Sequence, residues 1–286
     1  MAGRYTGVAS ASMTRILDFN GRDADRTVTV AAIAALKGSG RQFVQVTAGT
    51  EEEAAAAEAA GIDMVVCLAQ SVPEVRRGSS RLFVTAAIDF GGEVTLDDLL
   101  ATAFRSLSAG ADAVITARRL DAVRLLAAEG VPVMGHLGFV PKRSNQLGGV
   151  RMVGRTATEA TALWRQFQEL EDAGAFAVEC ELIPAPVLAE ITPRTSLATI
   201  SLGSGRDADV MFLFQNDIVG ESPRVPRHAR SYGDVASLQQ RIRDERVRAL
   251  AAFKADVASG GFPAAGEVGG IDPAELAGFV AALGGE

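Results

Sequence analysis

The sequence predicts a closed (β/α)8 barrel of parallel strands, with an extra helix at the N-terminal end and a helical extension at the C-terminal end. One observation behind this is a recurring junction, in which an alanine-rich stretch ends in glycine and a short apolar run follows at once. It occurs as Ala60-Gly61 before Met64-Val65-Val66, as Ala109-Gly110 before Ala113-Val114-Ile115, as Glu129-Gly130 before Val131-Pro132-Val133-Met134, and as Ala173-Gly174 before Phe176-Ala177-Val178. Glycine just past a helix takes the left-handed conformation that other residues resist. A short continuous apolar run suits a strand covered on both faces. The other observation is a count. Eight such runs fall at 42–47, 63–68, 82–88, 113–116, 131–136, 176–182, 198–202 and 210–214, and eight strands favour closure over an open sheet.

The stretches between the runs carry helical signals. Over 156–173, Thr156 and Glu159 form a capping box, while Ala160, Leu163, Trp164, Phe167 and Leu170 share one face. The stretch 95–109 repeats that design, with Thr95 and Asp98 at its start and Leu96, Leu99, Leu100, Ala103, Phe104 and Leu107 inward. The aromatic and leucine stripes of these two stretches read as core packing. Between the second and third runs only 70–81 is available, so the helix there should be the shortest or missing; between the seventh and eighth, 203–209 leaves room for none. A charged helix over 237–259 and a short one after Asp272-Pro273 close the chain. The division expected is one barrel domain, 1–262, and a tail, 263–286.

Composition removes several functions. The chain has 28 basic and 35 acidic residues, a net charge of −7, which disfavours nucleic acid as a partner. Two cysteines, Cys67 and Cys180, cannot make a disulfide scaffold, and two histidines, His136 and His228, cannot make a histidine-rich metal site. No run approaches the roughly 18 apolar residues of a membrane span. Residues 1–13 show no charged-then-apolar leader, so a cytoplasmic protein is expected.

In such a barrel the chemistry sits where strands end and the βα loops converge. The strand ends offer Gln70, Asp89, Arg118, His136, Glu179, Glu181, Ser204 and Asn216. Glu179 and Glu181 alternate along an otherwise apolar strand, so both point to the same side. A carboxylate facing a barrel interior loses hydration, which raises its pKa and suits it to general-base work. The alternative is that one of the pair caps a backbone group or meets an arginine. His136 stands between Gly135 and Gly138, glycines that would let a ligand approach the backbone.

The segment Gly135-His136-Leu137-Gly138-Phe139-Val140-Pro141, then Asn145, Gly148-Gly149 and Val153-Gly154-Arg155, resembles the GHLGLTPQ…N..GG..V.G pattern of the ketopantoate hydroxymethyltransferase family. Glu181-Leu182-Ile183-Pro184, Ile191-Thr192, Ser201 to Gly205 and Val257 to Pro263 continue the resemblance, which spans about Val28 to Pro263 and is detailed in the second half only. It implies a (β/α)8 barrel in a homo-oligomer, in the family a decamer, that adds a hydroxymethyl group from methylenetetrahydrofolate to 2-oxoisovalerate, with Mg²⁺ holding the oxo acid. It maps the general base onto Glu181 and the motif histidine onto His136.

The departures weigh as much as the matches. Where the family has acidic residues after strands two, three and four, the alignment places Ala69, Ala87 and Ala117, and the family's Lys-Ile-Glu after strand four reads Ile115-Thr116-Ala117. Mg²⁺ needs oxygen ligands and alanine supplies none. The expectation is therefore a divergent, metal-independent member with no cofactor, in which Glu181 and His136 are catalytic. Its reaction would be enolisation-type chemistry, as in carbon–carbon bond formation or cleavage, cyclisation or dehydration, on a small carbonyl or carboxylate substrate, with specialised metabolism as the expected setting. Arg118, Asp89, Gln70, Ser204 and Asn216 are the expected substrate contacts, with Arg118 holding negative charge through paired hydrogen bonds. Two rivals stand beside it: an authentic Mg²⁺- and folate-dependent hydroxymethyltransferase with a metal site moved to Asp89 and Glu93, and a catalytically silent ligand-binding barrel.

Overall fold

The computed structural model describes residues 15–89 and 92–284. The leader expectation on residues 1–13 lies outside them, as do Phe90 and Gly91. Eight strands, β1 (Phe43–Thr47), β2 (Met64–Leu68), β3 (Phe83–Ala87), β4 (Ala113–Ile115), β5 (Val133–Gly138), β6 (Ala177–Glu181), β7 (Ala198–Leu202) and β8 (Val210–Leu213), pair in chain order. Every pair is parallel, and β8 returns onto β1 to close the barrel.

The helices are α1 (Val30–Ala34), α2 (Glu51–Ala59), α3 (Val72–Gly78), α4 (Leu96–Ser108), α5 (Leu120–Ala128), α6 (Ala157–Asp172), α7 (Ala185–Ile191) and α8 (Gln215–Ile218), with α9 (Val235–Ser259) and α10 (Pro273–Leu283) beyond the barrel strands in sequence. The extra N-terminal helix is α1. Thr95 and Asp98 form the full reciprocal cap of α4. At α6 only half of the expected box forms: Thr156 accepts from the Glu159 N–H, while the Glu159 carboxylate turns outward to the N–H groups of Gly154 and Arg155.

The helix between β2 and β3 is neither missing nor the shortest. A single 3-10 turn (Ala69–Ser71) leads into the seven residues of α3, and α1 and α8 are shorter. Gly78 makes room for it: a β-carbon there would lie 2.0 Å from the Glu51 carbonyl oxygen, so α3 closes onto α2 only because that position is glycine. Between β7 and β8 no helix forms. The Ser201 hydroxyl donates to the Gly205 carbonyl at 2.7 Å, and Asp209 accepts from the Thr199 backbone and hydroxyl at 2.8 and 2.9 Å, which ties the short connection down.

Alternation along the strands builds two apolar layers. Phe43, Met64, Val66, Phe83, Ala113, Ile115, Met134, Ala177, Ile200, Val210 and Phe212 fill the barrel axis. Their neighbours Val46, Val65, Cys67, Val84, Val114, Val133, Val178 and Cys180 face the helices, against Leu99, Leu126, Leu163 and Phe167. Period-two alternation thus assigns every strand residue a side, which decides what reaches the site.

Contacts divide the chain into two compact units, Met1–Tyr232 and Gly233–Glu286. The first holds the barrel; the second holds α9 and α10, whereas the sequence placed the boundary after residue 262. Within the second unit Gly260, at φ 73°, ends α9 in the left-handed conformation, and the Asp272 carboxylate caps α10 by accepting from the Ala274 N–H at 2.8 Å. Among the described residues no helix is long and apolar enough to cross a membrane.

Candidate active site

The C-terminal end of the barrel opens into a cavity of about 470 Å³. Its walls differ in chemistry. Val66 and Leu68 of β2, Ala87 of β3, Ile115 and Ala117 at β4, and Phe212 and Phe214 at β8 are apolar. His136 of β5 and Glu179 and Glu181 of β6 bring the charge.

These three meet because of register. His136 lies beside Glu179, and Gly138 beside Glu181, across the β5–β6 ladder. All three continue the axis-facing alternation of their strands, after Met134 and Ala177. His136 Nε2 is 3.1 Å from Glu181 Oε2 and 3.8 Å from Glu179 Oε1, and the three side chains are only 9–13% exposed. A carboxylate can only accept, so Nε2–H donates to Glu181. Burial alone would lower the His136 pKa, but the hydrogen bond it donates to Glu181 and the charges of both glutamates outweigh it and hold it above its ordinary value. Burial pushes Glu179 up from the usual carboxylate range; the facing imidazolium opposes that and the Glu181 charge adds to it. One Glu181 oxygen is engaged by His136, and the side chain lines the cavity.

The glycines beside His136 serve packing rather than ligand approach. A β-carbon on Gly135 would sit 2.3 Å from Leu170 of α6, and one on Gly138, at φ 87°, would sit 2.2 Å from the Glu181 carbonyl oxygen. That close approach lets the Phe139 N–H reach the same oxygen at 2.8 Å. The next residue, Leu182, takes a φ of 49°, which non-glycine residues adopt at a cost and mostly where the surroundings demand it. Ser204 supports this turn: its hydroxyl donates to the Cys180 carbonyl at 2.7 Å and accepts from the Ile183 N–H at 2.8 Å. It positions β6 and does not line the cavity.

The other expected contacts fall in different places. Asp89 lines the cavity, but its carboxylate accepts from the Thr116 hydroxyl at 2.7 Å and the Ala117 N–H at 2.6 Å, so it binds two loops together. Arg118 turns away, as its place one residue beyond an axis-facing position requires. Its guanidinium donates to the Glu93 and Val94 carbonyls at 2.9 and 3.1 Å. Gln70 lies in a separate outer cavity with Glu93 and Arg105. Asn216 is exposed on α8 and donates to the Ser222 hydroxyl at 2.9 Å. Asp89 and Glu93, the pair considered for a relocated metal, line different cavities, and Glu93 accepts from the Thr102 hydroxyl at 3.0 Å.

Leu68 and Lys142 are among the cavity residues that were not anticipated. Leu68, rather than Ala69, ends β2 on the axis side, while Ala69 packs into the outer layer. Strand alternation was the signal for Leu68, and neither Leu68 nor Ala69 carries a side-chain oxygen. Lys142, from the loop after β5, is the other: its ammonium donates to the Asp89 carbonyl at the cavity wall. It stands where the resembled pattern has glutamine, which was the signal available.

A metal would find a changed set of donors. Leu68, Ala87 and Ala117 carry no side-chain oxygen, so Mg²⁺, which takes near-octahedral oxygen ligands, does not fit there. His136, Glu179 and Glu181 offer three ligand atoms within 4.8 Å of one another. In that group His136 Nε2 is hydrogen-bonded to Glu181, so a metal ion held by His136, Glu179 and Glu181 would have to displace the Nε2 proton.

Comparison with known proteins agrees with this architecture. The family model described as ketopantoate hydroxymethyltransferase matches residues 67–265. A 3-methyl-2-oxobutanoate hydroxymethyltransferase of Thermobifida fusca (strain YX) is 34% identical over 269 residues, covering 85% of this chain and 94% of that protein. One from Hyperthermus butylicus (strain DSM 5456 / JCM 9403 / PLM1-5) is 33% identical over 273 residues, covering 87% and 92%. Among solved structures, a phosphonopyruvate hydrolase in complex with oxalate and Mg²⁺ matches with a TM-score of 0.52 at 14% identity, covering 84% of this chain and 93% of that one, a likeness of fold.

Proposed function

The chain belongs to the ketopantoate hydroxymethyltransferase family, and from that premise we propose that it is a metal-independent carbonyl enzyme in which Glu181 is the base and His136 the acid. The observation that carries this is the hydrogen-bonded His136–Glu181 pair at 3.1 Å, opening on a cavity whose opposite wall is Leu68, Ala87 and Ala117. The Glu181 carboxylate takes the proton from the carbon next to a carbonyl. As that C–H bond breaks, its electron pair moves into the new carbon–carbon double bond and the carbonyl oxygen gains charge. Once Glu181 has taken that proton it holds the His136 Nε2–H less strongly than the carboxylate did, and the N–H turns to donate to the oxygen. Stabilisation by a charged donor in a water-poor site is the kind of contribution that dominates such steps. Glu179 lies deeper and keeps the imidazole protonated. The enolate is the shared first intermediate for carbon–carbon bond formation or cleavage, cyclisation and dehydration. The substrate is a small carbonyl compound, and neither folate nor Mg²⁺ is needed for this first step.

Solvent exchange tests it. In D₂O containing EDTA, the protein should place deuterium on the carbon next to the carbonyl of a 2-oxo acid, in a panel running from 3-methyl-2-oxobutanoate to bulkier analogues, read by NMR. Exchange that stops with EDTA and returns with Mg²⁺ would contradict metal independence. Absence of exchange across the panel under both conditions would leave a silent barrel as the better account.

A further inference from the structure

We infer that Lys142 is the specificity-determining cation of this site, and that the substrate is a carbonyl compound with one carboxylate and an apolar body larger than a short branched chain. The inference rests on the function proposed above and adds the class of substrate. Besides His136, Lys142 is the cationic side chain lining the cavity among the described residues. Its ammonium donates to the Asp89 carbonyl, two residues beyond Ala87, while the Asp89 carboxylate holds the Ala117 N–H. The positive charge is therefore stationed beside the two alanines, on the wall that lacks acidic side chains.

An ammonium on a four-carbon stem has three donors, so a substrate carboxylate can join the acceptors that Lys142 already serves. A substrate carboxylate competes well with a neutral carbonyl for it, because a charge-assisted hydrogen bond is roughly twice as strong as a neutral one. The rest of the cavity then orients the ligand. With its carboxylate at Lys142 and its reacting carbon at Glu181, the body extends toward Leu68, Phe212 and Phe214. Leu68 and Phe214 are 40% and 41% exposed, an apolar rim that a ligand would cover. A cavity of about 470 Å³ falls in the range of roughly 300–1,000 Å³ that encloses drug-sized ligands.

The test is binding in EDTA, by titration calorimetry, of three probes: 2-oxo-4-phenylbutanoate, its uncharged amide, and 3-methyl-2-oxobutanoate. The phenyl acid should bind more tightly than its amide by on the order of tenfold to a hundredfold, the worth of a hydrogen bond to a charged group. It should also bind more tightly than the branched acid. Lys142→Met should erase the acid–amide gap and leave amide affinity unchanged; Lys142→Arg should keep most of it. Lys142→Gln, which can still donate to the Asp89 carbonyl, answers the same question if the methionine variant fails to fold. The gap should persist in Glu181→Gln, which separates this inference from the proton-transfer chemistry. Equal affinity for acid and amide, or a gap that survives Lys142→Met, overturns the role of Lys142. Equal affinity for the two acids overturns the size of the apolar body.

Discussion

Two clusters of buried charge sit at opposite ends of the same barrel and are satisfied to very different degrees. At the N-terminal ends of β3 and β4, Asp112 accepts from Arg26 at 2.8 Å, from Arg76 at 2.5 Å and from the Val84 N–H at 2.8 Å. Arg76 also donates to the carbonyls of Gly110 at 2.7 Å and Leu82 at 2.8 Å. Burial lowers the Arg76 pKa to about 10, against the opposing pull of Asp112, and it stays charged at neutral pH. At the C-terminal end, His136, Glu179 and Glu181 share one hydrogen bond of 3.1 Å and face open space. A fully bonded charge network specifies structure and does no chemistry, whereas an incompletely bonded one can still exchange a proton with a ligand.

If that contrast holds, the two ends should fail in different ways. The largest effect should come from Asp112→Ala, which strands Arg26 and Arg76. Breaking a buried pair costs about 3–5 kcal/mol, to be read from the denaturant midpoint, while probe binding by the remaining folded protein should not change. A loss under about 1 kcal/mol would place Asp112 with ordinary surface ion pairs.

Next in size is Glu181→Gln, which should slow deuterium exchange by roughly 10²- to 10⁴-fold and shift stability by less than about 1 kcal/mol. An unaltered exchange rate would remove Glu181 from the chemistry. Glu179→Gln should do less to the rate and act on stability in a pH-dependent way. Because the folded-state pKa of Glu179 is raised above 4.5, the wild type loses stability as pH climbs from that value through the folded pKa. The advantage of the glutamine variant should therefore grow over that window; an advantage that is flat with pH would show that Glu179 titrates alike in both states.

The smallest effect concerns His136. Its raised pKa means that its contribution to stability is full below 6.5 and fades as pH rises through the folded value. The stability difference between wild type and His136→Gln should shrink across that interval, followed by thermal melts at stepped pH. A difference that widens would mean the imidazole is held neutral and the donor to Glu181 has been misassigned.

The barrel was legible because its signals are local and repeated: glycine after each helix, then an apolar run. His136 and Glu181 were legible too, since both lie within strands, where alternation settles which side a residue faces. Past the strand ends the signal weakened. Arg118 and Ala69 follow axis-facing positions at Ala117 and Leu68, so period two already turns them outward, and extending the alternation would have exchanged each for its neighbour. For Gln70, Ser204 and Asn216 no periodicity applies, because the chain has left the strand and long-range packing decides. For Lys142 the sequence offered its place in the resembled pattern, but not its partner: it approaches Asp89 across 53 residues of sequence, and only the folded loop brings them together.

Gly138 has a practical consequence for re-engineering this scaffold. The spacing of the acid and the base is fixed by main chain against main chain, with the Glu181 carbonyl filling the space where a β-carbon would go. The lining at Leu68, Ala87 and Phe214 comes from other strands and takes no part in that contact. The apolar lining and the proton-transfer geometry are thus written in separate parts of the chain. A library that randomises the lining while keeping Gly138 fixed can vary the molecule accepted without disturbing the pair that acts on it.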